Sequence, residues 1–335
     1  MNNSYQSKKR ENSLEFIEDI AFAFKKSRVI LTASELNIFE SLGYRSLSAK
    51  DVADNLSLDI KSTERLLNAL VGLGLLEKKD QHYNNTDESL RHLLRGSSEY
   101  IGNIEHLADL WDVWSNLTDA VKVGRPVHFY SLQDKSPEWM KSFVNSMFWR
   151  ANLEAPEVIS KLHLKGVKKI LDLGGGKGAY THNLIKANPT ATVTLFDLPI
   201  VTKYADEYLS TTGFRDQVTI MSGDFTKDNI GQGYDMILIT NVICFRSIWE
   251  NVSLLQKCFD ALNHGGQIVI YDMIIHDSRT KPLNHTLFSL NMLINTESGD
   301  AYTETDIWIM LREAWFRDIK RIETKFDASI MIGYK

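Results

Sequence analysis

Between Ser13 and Gly43 apolar residues are too dense for one solvent-facing helix. Phe16, Ile17, Ile20, Ala23, Phe24, Val29, Leu31, Ala33, Leu36, Ile38 and Phe39 give a helical segment a nearly continuous apolar surface, which needs a partner to cover it. Ser48 and Asp51 in "SAKDVADNL" have capping-box spacing, and "SLDIKSTERLLNALVGLGLLEKK" predicts a second helix with Leu66, Leu67, Leu70 and Leu73 on its apolar side. "LLEKKDQHYNNTDES" reads as a short hairpin with Tyr83 and Asn84 near its return. Helices followed by a hairpin outline a winged helix. The helix that reads a DNA groove in such a module carries Lys61, Arg65, Asp59 and Glu64 here, a mixed surface without basic excess. The module is therefore read as a packing or dimerisation unit, and no nucleic-acid partner is expected.

A mainly helical connector follows. Leu107, Leu110, Trp111, Trp114 and Leu117 recur at helical spacing, and Ser136 with Pro137 marks the start of "SPEWMKSFVNSMFWRANLEAPEVISKL". From Val167 the rhythm becomes one of short apolar runs alternating with helical segments, which implies a parallel sheet covered on both faces. A last helix at "TETDIWIMLREAWF", with Thr303 and Asp306 in capping-box spacing, leads to two closing strands. The expected class is α/β. The boundaries are a winged-helix-like domain over residues 1–100, a connector over 101–165 that contributes to an acceptor pocket, and a nucleotide-binding domain over 166–335.

The chain of 335 residues is long enough for two cores. Its net charge of -5 gives no general attraction to nucleic acid or to anionic membrane. Cys244 and Cys258 have neither CxxC spacing nor neighbouring histidines, so no metal site is expected. No apolar run is long enough to span a bilayer and the polar start lacks a signal-peptide core; these features predict a cytoplasmic protein with no membrane partner.

"ILDLGGGKGAY" carries the clearest chemistry. Strand residues Ile170, Leu171 and Leu173 feed a turn with Gly174, Gly175, Gly176 and Gly178, where missing side chains admit a ligand to the backbone ahead of a helix N-terminus. Lys177 lies inside the glycine run, and no Gly-Lys-Ser/Thr follows, so this is not a phosphate-cradling Walker loop. Asp197 ends the second strand of the domain, where a carboxylate accepts from both hydroxyls of a ribose. Asp224 ends the third, placed to hold the amino edge of an adenine with Phe225 beside the ring. Asp172 has two readings: it bonds the glycine turn, or it meets the positive end of a ligand. S-adenosylmethionine fits better than a dinucleotide, because it has one nucleoside and a cationic sulfonium where a diphosphate would be repelled by Asp172.

With these residues in view, the whole chain resembles the two-domain, class I S-adenosylmethionine-dependent small-molecule O-methyltransferases of plants and bacteria. The resemblance rests on the winged-helix module, the connector, "LDLGGGKG", Asp197, "GDF", "ALNHGG" and "YDMII". It implies a Rossmann-like methyltransferase domain, a homodimer formed through the N-terminal module, and S-adenosyl-L-methionine as cosubstrate. It also implies donor-site roles: Gly174 and Gly176 at the methionine part, Asp197 at the ribose, Asp224 and Phe225 at the adenine. Met147, Asp172, Leu198 and Asn241 complete that expected donor site.

The chain departs from the family at "VICFR". Most phenol-methylating members have "LHxW" there, with the histidine as proton acceptor; Cys244 takes its position and Arg246 that of the tryptophan. Cys244 is either a base, its thiol pKa lowered with help from Arg246, or filler at the pocket wall. His276, His285 and Glu297 are the other candidates for the acid–base role, with Asn291 and Glu297 the candidate orienting groups. Trp111, Trp114, Phe148, Trp149, Phe288, Met292 and Met310 supply apolar walls for an aromatic or polycyclic small-molecule acceptor. The expected reaction is methyl transfer to oxygen. Transfer to an activated ring carbon, and a catalytically silent ligand-binding or regulatory role, are the alternatives.

Overall fold

The computed structural model describes residues 13–129 and 132–335. The chain divides into two compact units, with the division between Ala108 and Asp109.

The first unit opens with α1 (Ser13–Glu35) and α2 (Ile38–Leu42), then β1 (Leu47–Ser48), α3 (Ala49–Leu56), α4 (Ile60–Gly72), β2 (Leu76–Lys79), β3 (His82–Asn85) and α5 (Asp87–His92). The capping box forms as the sequence predicts, with Ser48 accepting from the Asp51 amide and Asp51 accepting from the Ser48 amide. The hairpin return falls at Asp80 and Gln81, both at positive φ of 48° and 66°, so Tyr83 and Asn84 sit inside β3 rather than at the turn. Leu67 and Leu70 are buried, but Leu73 caps the end of α4 and is exposed. β1 adds a third strand, giving the order β1-β3-β2 that completes the winged helix. The front of α1 leaves Leu14, Phe16, Ile17, Ile20, Phe22 and Phe24 exposed.

The second unit contains the last residues of α6 (Ile104–Ser115), then α7 (Leu117–Val123) and α8 (Pro137–Ser160). Ser136 caps α8 by accepting from the Trp139 amide, with Pro137 in the first turn where no N–H is required. The alternating part follows: β4 (Lys169–Leu173), α9 (Ala179–Ala187), β5 (Thr192–Asp197), α10 (Pro199–Leu209), β6 (Val218–Ser222), β7 (Tyr234–Thr240), α11 (Ile248–Ala261) and β8 (Leu262–Asp272). It closes with α12 (Leu283–Asn295), α13 (Glu304–Glu313), β9 (Arg317–Glu323) and β10 (Ser329–Tyr334). β8 begins earlier than its apolar run, taking in the "NHGG" segment through a register irregularity opposite Tyr234 and Met236.

The seven strands lie in the order β6-β5-β4-β7-β8-β10-β9, parallel except for β10. Successive strand residues serve opposite cores. Leu173, Ile237, Ile239 and Ile270 join the side of α11 and α13, while Ile170, Leu238, Val269 and Tyr271 join the side of α9 and the end of α8. Both faces are dry, which is why these strands read as continuous apolar runs rather than alternating ones. The order reverses between β4 and β7, and in open sheets of this kind the crevice beyond the carboxyl ends at that switch point takes ligands.

Candidate active site

At the switch point β4 runs into Gly174 at φ +74° and Gly176 at φ +56°. A Cβ at Gly174 would stand 2.5 Å from Val242 Cγ2, so glycine there lets the turn approach the segment after β7. At Gly176 nothing stands within 4 Å of where a Cβ would lie, so the turn is open on that side.

Asp197 closes β5. Its Oδ2 accepts from the Gly176 N–H at 2.8 Å and its Oδ1 from the Leu198 N–H at 2.7 Å, fixing the carboxylate between the glycine turn and α10. Each oxygen keeps lone-pair capacity for one member of a diol. Burial lifts this carboxyl to about 6 against the opposing pull of the two amides, and at neutral pH it is ionised. Asp172 is fully enclosed. Its Oδ2 accepts from the Thr181 hydroxyl of α9 at 2.6 Å, Oδ1 has no partner, and burial raises it to about 6. It bonds α9 rather than the glycine turn, which corrects that reading; the unpartnered Oδ1 is what remains to answer a cation.

Asp224 lies two residues beyond β6 rather than at its end. Its Oδ1 accepts from the Thr226 N–H at 2.9 Å and hydroxyl at 2.7 Å, and Lys227 Nζ stands 3.1 Å from Oδ2. Partial burial works to raise this carboxyl, but those hydrogen bonds and the ammonium outweigh it and hold it below the ordinary value. The Arg246 guanidinium lies 5.1 Å over the Phe225 ring and 4.0 Å from Glu250. Asn241, at φ 52°, turns the chain out of β7, and its N–H donates to the Tyr271 carbonyl.

α8 crosses the donor side. Leu198 packs with Met140 and Val144, and Asn145 accepts from the Lys177 ammonium at 3.1 Å. Met147 is exposed, whereas Phe148 packs edge-on against Tyr208 with centroids 4.6 Å apart, so its ring is committed to α10. Arg150 Nε donates to Glu154 Oε1 at 2.8 Å, an i,i+4 pair on α8 that the sequence displays but that helical spacing alone does not single out. Met310 packs in the core with α11 and β8, and Met292 is buried on α12; Trp114 Nε1 donates to Asn291 Oδ1 at 3.1 Å.

The surroundings of Cys244 disfavour a thiolate. The residue is buried in the short helical turn after β7, its thiol beside the Asp272 carboxylate. Burial first, and that negative charge next, push the thiol well above its ordinary value, so it stays protonated at neutral pH. Arg246, capping Phe225, does not supply the lowering proposed for it. Asp272 Oδ1 accepts from the Met273 N–H at 2.8 Å, and burial raises this carboxyl to about 6. His276 is exposed and engaged with Ser278 inside a turn, and Glu297 is exposed on the loop after α12. Asn291 Oδ1 accepts from both Trp114 and Asn295.

His285 differs from all of these. It is buried in the first turn of α12, its Nδ1 3.0 Å from the Ile274 carbonyl just beyond β8, and its Nε2 has no partner. A carbonyl only accepts, so Nδ1 carries the proton and Nε2 presents a lone pair.

This geometry agrees with comparisons to known proteins. Residues 114–317 match the O-methyltransferase domain model, and residues 18–95 match the O-methyltransferase dimerisation domain model. The chain belongs to the O-methyltransferase family. It is 30% identical over 328 residues to acetylserotonin O-methyltransferase of Gallus gallus, covering 91% of this chain and 93% of that one. It is 29% identical over 315 residues to the 3-hydroxy-5-methyl-1-naphthoate 3-O-methyltransferase of Streptomyces sahachiroi, covering 91% and 90%. Among solved structures, human N-acetylserotonin methyltransferase in complex with SAM superposes with a TM-score of 0.86 at 25% identity, over 98% of this chain and 99% of that one. PigF with SAH shares the fold, with a TM-score of 0.91 at 20% identity over 97% and 100%.

This methyltransferase uses S-adenosyl-L-methionine, which brings its methyl group already activated on a sulfonium. The residues present fit that donor. Gly176 leaves the turn open on its Cβ side, Asp197 presents an anchored carboxylate suited to a ribose, and Asp172 keeps one buried oxygen unpartnered. Among the described residues, no helix is long and apolar enough to cross a membrane.

Proposed function

We propose that this methyltransferase acts on a phenolic oxygen of an aromatic or fused-ring biosynthetic intermediate, and that His285 takes the acceptor's proton. The observation that carries this reading is the buried imidazole whose Nδ1–H is spent on Ile274 and whose Nε2 lone pair is unspent. The named activities of the two relatives, both O-methylations, support oxygen. The chain's own part is to hold the donor through Asp197 and the glycine turn, to align the acceptor with walls from the helical connector, Trp114 among them, and to receive a proton at Nε2. The resulting imidazolium keeps its Nδ1–H on the Ile274 carbonyl.

The dimerisation-domain match and the exposed apolar front of α1 support a homodimer. Transfer to carbon is the second reading, favoured by the protonated Cys244 where most family members have histidine. The test is single-turnover transfer to hydroxynaphthoates across pH in the parent and His285→Gln. A loss of roughly 100-fold or more, with donor binding unchanged, supports the base. Equal rates and equal pH profiles remove it.

A further inference from the structure

Turn geometry explains the glycines of "GGGKG" but not the lysine among them. Lys177 extends from the turn to α8, where its ammonium donates to Asn145 Oδ1 at 3.1 Å and stands 4.9 Å from the centroid of Phe148. The residue is half-buried, and among the described residues no carboxylate forms an ion pair with it. Burial pulls its pKa below the usual value; the charge of Glu207 opposes that from a distance and that of Lys141 adds to it. A neutral amide oxygen and a ring face are weak compensation for a partly desolvated ammonium. Two of its three N–H donors remain to be used.

The donor carries one anion, the α-carboxylate of its methionine part. Lys177 follows Gly176, whose Cβ side is open, and lies against Asn145 and Phe148, which flank Met147 on α8. The Gly176 N–H donates to Asp197, the carboxylate suited to a ribose, whereas the Lys177 side chain reaches to α8, which assigns its ammonium to the amino-acid end of the donor. We propose that Lys177 binds the methionine carboxylate of S-adenosylmethionine, with Asn145 holding the ammonium in place. The lysine thereby makes the site select nucleosides that bear an amino acid over those that do not.

Calorimetric titration of the full-length enzyme with S-adenosylhomocysteine and with 5′-methylthioadenosine tests this, because the second ligand keeps the nucleoside and lacks the carboxylate. Lys177→Met should weaken S-adenosylhomocysteine by about tenfold or more, the scale of a lost charge-assisted hydrogen bond, with 5′-methylthioadenosine held within about twofold. Lys177→Arg should recover most of the loss. Equal weakening of both ligands would assign the lysine to loop structure and overturn the proposal, as would unchanged affinity for both. Neither titration uses an acceptor, so this outcome is separate from the fate of the oxygen-transfer reading.

Discussion

The Cys244 thiol, in the turn after β7, meets the carboxylate of Asp272, the last residue of β8, and both are buried. Burial disfavours charge on both; the carboxylate further disfavours charge on the thiol, whereas hydrogen bonds from Cys244 favour the ionised carboxylate. Cys244→Ala should therefore keep more than about a tenth of the parent's single-turnover rate, where loss of a true base costs roughly 100-fold to 10,000-fold. In the native protein neither Cys244 nor Cys258 should react quickly with a thiol reagent at neutral pH, since both are buried and both thiols are raised, Cys258 to about 12. A large rate loss joined to rapid labelling of Cys244 would reverse this assignment.

The ribose contact proposed for Asp197 needs an ionised carboxylate, and burial raises that carboxyl to about 6. Affinity for S-adenosylhomocysteine should therefore fall as pH drops through 6, by about tenfold between pH 7 and 5. Asp197→Asn should bind more weakly at neutral pH and show a flat profile. Calorimetry at several pH values reads both, and a parent profile as flat as the variant's would contradict the role.

Asp172 predicts a stability effect of definite sign. Its carboxyl is lifted from 3.8 to about 6 by burial, so the folded chain keeps a proton that the unfolded chain has released. Its contribution is present below about pH 4 and is lost as pH rises through about 6. Asp172→Asn, which cannot ionise, should gain on the parent across that window, by on the order of 3 kcal/mol at most. Denaturation of the donor-free protein at acid and neutral pH measures the difference; a pH-independent offset would count against the buried ionisation.

The front of α1 exposes Leu14, Ile17, Ile20 and Phe24, too much apolar surface on one helix to leave in water. Light scattering over a dilution series should report a dimer, and Ile17→Asp together with Ile20→Asp should shift it towards monomer. A parent that is monomeric and active at every concentration would contradict the interface.

The parts of this protein set by local physics were legible in the sequence. The caps at Ser48, Ser136 and Thr303, the strand rhythm after Val167 and the turn into Gly174 depend on neighbours in the chain. The carboxylate of Asp197 at a strand end was legible for the same reason. What the sequence left open depends on partners far along the chain: the Lys177 contact with Asn145, the Trp114 bond to Asn291, and the enclosure of Asp172 by Thr181. His285 and His276 look alike as letters. Only folding shows that one imidazole is spent on a turn while the other is buried with a nitrogen to spare.

The most direct test of oxygen transfer follows the methyl group itself. The enzyme is incubated with methyl-labelled S-adenosylmethionine and a panel of hydroxynaphthoates and larger hydroxylated ring systems, and the labelled carbon in the product is located by mass spectrometry and NMR. Our account predicts a methoxy carbon on a phenolic position of the accepted ring. A label bonded directly to ring carbon would contradict it.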